Sequence, residues 1–220
     1  MMHPPPSSGN LLPPVLRATP DCLSEAARLL CAGGIAVIPT DTVYGIAAHP
    51  DRPEAVARLS AIKRRAEDKP IALLAADVGA VRAFGAHFPE GARRLADACW
   101  PGALTLVLPH KIDLPVQLSP YPGLAVRMPR HQLALQILER TGPLAVTSAN
   151  LSAHSETLSA QDVYNQLTGR IPLILDDGSH PGGKASTVID CMGAEPVLLR
   201  QGPIAFEDIV QKWKACGKDL

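Results

Sequence analysis

Gly34-Ile35-Ala36-Val37-Ile38-Pro39-Thr40-Asp41-Thr42-Val43-Tyr44-Gly45 is the stretch on which the reading of this chain turns. Its first five residues form an apolar run bounded by Gly and Pro, which reads as a buried strand. The run then gives way to hydroxyl-bearing residues at the strand's C-terminal end. In open α/β sheets, ligands bind in the crevice beyond the carboxyl ends of strands. Thr40, Thr42 and Tyr44 are spaced by two, so an extended backbone would turn all three hydroxyls to one side. Such a row suits a small polar ligand better than a core.

Working outward, apolar strand-like runs alternate with helical patterns, the signature of an α/β domain. Helical patterns cover Pro20 to Ala32, Glu54 to Ile62, Val78 to Phe84, Gly91 to Cys99, Gln132 to Arg140, Ser159 to Leu167 and Phe206 to Cys216. Ser159 stands where an N-cap is wanted. Strand patterns cover Ile71 to Ala75, Leu104 to Leu108, Leu124 to Arg127, Leu144 to Val146, Leu173 to Leu175, Thr187 to Asp190 and Val197 to Leu199. No internal repeat is visible. Residues 1–14, rich in Pro and Ser, read as a disordered lead-in and not a signal peptide. Residues 15–205 read as one domain, with 206–220 as a terminal helix packed on it.

Bulk composition removes several classes of function. The chain has 220 residues, enough for one full core, with 21 basic and 21 acidic residues. A formal net charge of zero argues against a protein whose main task is coating nucleic acid. Aromatics at 4% argue against base-stacking platforms of the single-strand-binding type. The five cysteines are scattered without a Cys-x-x-Cys pair, and the seven histidines show no His-x-x-x-His pair. A disulfide framework and a zinc centre are both disfavoured, and a reducing cytoplasm fits. No apolar run approaches 18 residues, so a membrane span is not expected.

Further polar groupings stand beside strand or helix ends. Lys63-Arg64-Arg65-Ala66-Glu67-Asp68-Lys69-Pro70 follows a helical pattern. Lys63 and Arg65 would diverge on a helix but point the same way in extended chain beyond its end. Cations converging there would suit a polyphosphate. A solvated helix end, with cations favouring the C-terminal dipole, explains the same residues and is preferred from this stretch alone. Thr147-Ser148-Ala149-Asn150 repeats the opening device, with Ser148 and Asn150 at alternate positions after an apolar strand; a turn or cap is the plain alternative. Gly182-Gly183-Lys184-Ala185-Ser186-Thr187 fails the phosphate-loop pattern, so it reads as a small-residue loop presenting Ser186. Arg127 and Arg200 each end a buried strand, where a charge is usually paired or bound to a ligand. For either alone a salt bridge is the simpler account.

Taken in order, these segments resemble the YrdC-like threonylcarbamoyl-AMP synthases, from about Leu16 to Ile204. The resemblance is carried by Pro-Thr-Asp-Thr-Val-Tyr-Gly at 39–45, Lys63-x-Arg65, Lys69-Pro70, Trp100-Pro101-Gly102 with Leu104-Thr105-Leu106, and Val126-Arg127-Met128-Pro129. Ser148-Ala149-Asn150, Ser186-Thr187 and Leu199-Arg200-Gln201-Gly202 complete it. It implies a twisted, mostly parallel open sheet with flanking helices and a concave basic cleft. It also implies the short, single-domain form of the family. The implied reaction takes L-threonine, bicarbonate and ATP to threonylcarbamoyl-AMP and pyrophosphate. A separate threonylcarbamoyl-transferase complex then modifies an adenosine beside the anticodon of certain tRNAs.

The resemblance also implies roles. Thr42 contacts threonine, with Thr40 and Tyr44 shaping its pocket. Arg127 holds the threonine carboxylate or the carbamate, Ser186 touches the amino acid, and Val146 contributes backbone. Lys63, Arg65 and Lys69 clamp the triphosphate, Ser148 and Asn150 complete the nucleotide site, and Arg200 contacts ATP. Lys63, Arg65, Ser148 and Asn150 are the residues expected to carry catalysis. Mg2+ is expected on the phosphates, with no protein ligand assigned; Asp41 reads more simply as a turn residue. The chain departs from the family pattern at three places. Leu74 stands where many members have a His that contacts threonine, Ala66 where many have Pro, and Ala153 where a Gly is frequent. Two other readings stay open: a tRNA- or double-stranded-RNA-binding module without chemistry, and a carbamoyl-adenylate-forming relative of the hydrogenase-maturation kind.

Overall fold

The computed structural model describes residues 15–64, 69–119, 122–151, 154–167, 169–178 and 182–215. Its elements run β1 (Val15–Arg17), α1 (Pro20–Cys31), β2 (Ile35–Ile38), β3 (Gly45–Ala48), α2 (Pro53–Lys63), β4 (Ala72–Leu74), α3 (Val78–Ala83) and α4 (Glu90–Cys99). There follow β5 (Leu104–Leu108), β6 (Leu124–Arg127), α5 (Gln132–Thr141), β7 (Leu144–Ser148), α6 (Ala160–Leu167), β8 (Ile174–Asp176), β9 (Thr187–Asp190), β10 (Val197–Arg200) and α7 (Phe206–Lys214). Local signals account for several boundaries. Thr19 caps α1, its side chain accepting from the Cys22 amide, and Pro20 opens the helix. Ser159 and Asp162 cap α6 reciprocally, each side chain accepting from the other's amide at 3.0 Å.

The strands form one open sheet in the order β1-β8-β2-β3-β7-β4-β6-β5-β9-β10. The α/β class and the open sheet are as the sequence indicates. The pairing is more mixed than expected: four of the nine neighbouring pairs are parallel and five antiparallel. Two of the five antiparallel pairs come from β3, which the sequence reading did not foresee. Gly45-Ile46-Ala47-Ala48 turns back on β2 as a hairpin and carries β7 in antiparallel on its far side. Gly and Ala are poor strand formers, so the segment gives little local signal.

The two faces of the sheet are covered unequally. On one, α2, α4, α6 and α7 pack over Ile46, Leu73, Leu104, Leu106, Leu124 and Val126 to form the larger core. On the other, α1 and α5 cover β1, β8, β2, β3, β7 and β4, through Leu23, Leu30, Leu133 and Ile137 against Ile38, Ala47 and Leu144. Among the described residues, no helix covers the rest of that face, over β6, β5, β9 and β10. Alternation sets what each face carries. The inward residues of β5 are leucines, while Thr105 and Val107 face outward; on β6, Ala125 and Arg127 face outward. Small outward side chains leave a concave floor.

Near the far edge, the β9–β10 register shifts between Leu198 and Arg200, a bulge that sets Arg200 opposite Val188. Leu198 packs into the larger core. Unbroken alternation would bury Arg200 beside it; the bulge turns Arg200 to the open face. The chain then returns at Gly202, where an added Cβ would stand 2.1 Å from the Thr187 amide nitrogen and 2.4 Å from the Ser186 carbonyl carbon. Both are backbone atoms held in β9 or its approach. Gly202→Ala is therefore expected to lower stability by about 2 kcal/mol, in the range of overpacked cores. Urea denaturation checks this, and a change within about 0.3 kcal/mol would contradict it.

Candidate active site

The open face holds a cavity of about 270 Å³, walled by the turn before β3, the ends of β4 to β7 and the Ala185–Ser186 approach to β9. The turn is the opening motif of the sequence, and it is not extended. The Thr40 hydroxyl donates to the Val43 carbonyl at 2.6 Å and accepts from the Thr42 and Val43 amides at 3.2 and 3.3 Å. This closes a tight hydroxyl-capped turn. Thr40 and Thr42 hydroxyls converge at 3.1 Å, as expected. Tyr44 lines the cavity, as expected, but its hydroxyl does not join the other two. Its ring belongs to the larger core, and its hydroxyl donates to Asp176 on β8 at 3.3 Å. Burial, then the nearby Asp176 and Asp177 carboxylates, push its pKa up.

Arg127 closes the turn against the sheet. It is 6% exposed. Its Nε donates to the Gly102 carbonyl at 3.0 Å, its Nη1 to Thr42 Oγ1 at 2.7 Å, and its Nη2 to the Asp41 carboxylate. Gly102 is set by the Trp100-Pro101-Gly102 turn, whose amide returns to Met128 at 2.8 Å. Burial pushes the guanidinium below its ordinary pKa, Asp41 opposes this, and Arg200 adds to it. The simple account, a salt bridge, holds for Arg127, yet the same side chain lines the cavity. Among the described residues, three of its five N–H donors are engaged, and two remain for other acceptors. Asp41 is thus engaged as an ion-pair partner.

A second network stands at the end of β7. Lys63, the last residue of α2, is 1% exposed, which overturns the solvated helix end preferred from sequence alone. Arg64 takes a left-handed conformation (φ 51°) and ends the helix there. The Lys63 ammonium donates to the Ser148 carbonyl, to Ser148 Oγ at 3.0 Å and to Asn150 Oδ1 at 2.9 Å. Ser148 Oγ also donates to Asn150 Oδ1 at 2.7 Å, and Asn150 Nδ2 to the His154 carbonyl at 2.8 Å. The two widely separated polar segments of the sequence therefore meet. Arg65, Ala66 and Ala153 lie outside the described residues. Lys69 is described and exposed.

The third grouping lies on β5 and beside β9 and β10. Arg200 donates from Nε to the Ser186 carbonyl at 3.0 Å and from Nη2 to Ser186 Oγ at 3.1 Å. Ser186 Oγ lies 2.7 Å from Thr105 Oγ1. Burial pushes Arg200 below its ordinary pKa, against the pull of Glu156. Arg200 thus stands with the Arg127 side of the cavity and not with the Lys63 network. Val146 and Leu74 line the wall between, Leu74 paired in register with Arg127. Thr105 was not singled out as a site residue from the sequence. The available signal was a lone hydroxyl at an outward position of a leucine strand.

The comparisons with known proteins agree with this architecture. Residues 28–202 match the family described as telomere recombination, named for Sua5, YciO and YrdC. A Mycobacterium tuberculosis protein and the Bacillus subtilis protein named threonylcarbamoyl-AMP synthase are each 39% identical to this chain, over 188 and 190 residues. Both alignments take in 85% of this chain, with 87% of the first protein and 55% of the second. A crystal structure of Pyrococcus abyssi Sua5 complexed with L-threonine superimposes with a TM-score of 0.84 at 35% identity, over 91% of this chain and 60% of that one. The site and sheet define an α/β protein of the YrdC-like fold. The chain belongs to the Sua5/YciO/YrdC family.

The Asp41–Arg127 pair gives a direct test of this geometry. Removing one partner of a buried pair leaves the other charge uncompensated, at a cost of about 3 kcal/mol. Asp41→Ala is expected to lose close to that in urea denaturation, and Asp41→Asn less, because an amide oxygen can still accept. Equal stability of Asp41→Ala and the parent would contradict the pairing.

Proposed function

We propose that this protein is a threonylcarbamoyl-AMP synthase, converting L-threonine, bicarbonate and ATP into threonylcarbamoyl-AMP and pyrophosphate. The observation that carries the reading is one cavity walled by both Arg127–Thr42 and Ser148, the latter held by Lys63, in a chain 39% identical to a protein of that name. In this reading the carbamate formed from the threonine amine and bicarbonate attacks the α-phosphate. A carbamate-oxygen–phosphorus bond forms as the bond to pyrophosphate breaks. An anion must approach an anion, so fixed cations have to cancel the repulsion beforehand. Arg127 orients the amino acid from one side. Lys63, Lys69, Ser148 and Asn150 are assigned the triphosphate on the other, a role the family pattern also gives Arg65, while Arg200 stands beyond Arg127 on the amino-acid side. Positioning supplies much of the rate once both substrates lie in line.

Magnesium is proposed to arrive on the triphosphate. Asp41 is committed to Arg127, and among the described residues no group of three His, Cys, Asp or Glu could hold a metal ion. The product is proposed to pass to a transferase complex acting on tRNA. No helix among the described residues is long and apolar enough to cross a membrane, and a cytoplasmic place fits the proposed tRNA pathway.

Pyrophosphate release should require all three substrates, and omission of threonine or bicarbonate should abolish it. Release that persists without bicarbonate would overturn the mechanism. Lys63→Ala and Arg65→Ala should each lower turnover about a hundredfold or more, the scale of losing one charge-stabilising donor. Circular dichroism would confirm that the variants fold. Valine should be rejected far more strongly than serine, because the wall offers hydroxyl partners, whereas a methyl group is worth only about 1–3 kcal/mol. Equal turnover of valine and threonine would refute that expectation.

A further inference from the structure

Thr105 has no part in the roles assigned so far, yet it stands at the centre of the cavity floor. It is 4% exposed and lies one step beyond the Leu106–Val126 pair, directly beside Arg127 on the neighbouring strand. On its other side it pairs with Val188, which faces Arg200 across the bulge. Leu74, Arg127, Thr105, Val188 and Arg200 thus make a single row across four strand boundaries. The row carries a guanidinium on each side of Thr105.

Hydrogen accounting then defines what Thr105 offers. A guanidinium only donates, so Ser186 Oγ accepts from Arg200. Thr105 and Ser186 hydroxyls share one hydrogen bond, at 2.7 Å. They own two hydroxyl hydrogens, and one is spent between them. The other meets no acceptor among the described residues, and both residues line the cavity. Whichever hydroxyl donates to the other, the pair presents one O–H toward the space between Arg127 and Arg200.

We propose that Thr105 determines substrate recognition: with Ser186 it forms a hydroxyl pair that donates a hydrogen bond to the carboxylate of the amino-acid substrate at Arg127. This rests on the synthase reading above. The carboxylate is preferred to a phosphate because Thr105 adjoins Arg127, whose partner is Thr42. Ser148 lies three strand positions away, about 14 Å across the sheet at ordinary strand spacing.

The test is calorimetric titration of L-threonine into the parent protein, Thr105→Val, Thr105→Ala and Thr105→Ser, without ATP or bicarbonate. Thr105→Val keeps the shape and loses the hydroxyl; its Kd for L-threonine should rise about tenfold or more, the scale of a hydrogen bond to a charged group. Thr105→Ser should bind within about threefold of the parent. The KM for ATP, read by pyrophosphate release, should stay within about twofold in all variants. Should Thr105→Val not fold, Thr105→Ala carries the same expectation. Unchanged threonine binding in Thr105→Val or Thr105→Ala, failure of Thr105→Ser to restore it, or an ATP KM rising in step would each overturn the assignment. A parent protein that does not bind L-threonine would overturn the synthase reading and this assignment together; a parent that binds, with variants unaffected, would overturn this assignment alone.

Discussion

A buried cation that cannot shed its proton is the constraint around which this structure is arranged. Arg127 sits at the end of a central strand, and its guanidinium stays charged at any ordinary pH. The fold therefore has to bring acceptors to it, and it draws three of them from two separate segments: Gly102 after α4, and Asp41 and Thr42 in the turn. The turn can supply two of them because Thr40 closes it with its own hydroxyl. The charge, the turn and the Trp-Pro-Gly corner are one mechanical unit.

The unit is accessible because the sheet is covered unevenly. Two helices protect half of one face, and small or hydroxyl-bearing side chains on β5 and β6 keep the remaining floor low. The opposite face carries the larger core and anchors every strand that contributes to the cavity. Lys63 belongs to a helix of that opposite face, yet its amine ends at the tip of β7. One side of the cavity is thus fastened to the main core through a single long side chain, and the other through strand register.

Much of this was legible in the sequence, for identifiable reasons. The strands β5, β6 and β9 have strong apolar runs, and their limits coincide with the pattern. The polar residues after β2 and β7 mark strand ends, and the structure brings Thr42 and Ser148 to the same cavity. What escaped was set by tertiary context. β3 is written in Gly and Ala, whose pairing is decided by its neighbours and not by propensity. The hydroxyl of Tyr44 reaches Asp176 at the end of β8, because the chain turns where an extended backbone was expected. Lys63 looked like a surface charge because its acceptors, Ser148 and Asn150, are more than eighty residues away. Arg200 reaches the open face only through a bulge, which no periodic pattern can announce.

The row that runs from Arg127 to Arg200 also bears on how molecules arrive. The chain as a whole carries no formal net charge, so it has no long-range pull on polyanions. The concave floor nevertheless holds two guanidiniums that sense each other, flanked by low-dielectric walls. Such an arrangement concentrates field lines inside the cleft while the molecule as a whole stays neutral. Small anions that wander to the mouth are drawn inward over roughly a Debye length, about 8 Å at physiological salt, and the pull fades as salt rises. Overall neutrality with a cationic interior makes the cleft a short-range collector, selective for ligands small enough to enter it.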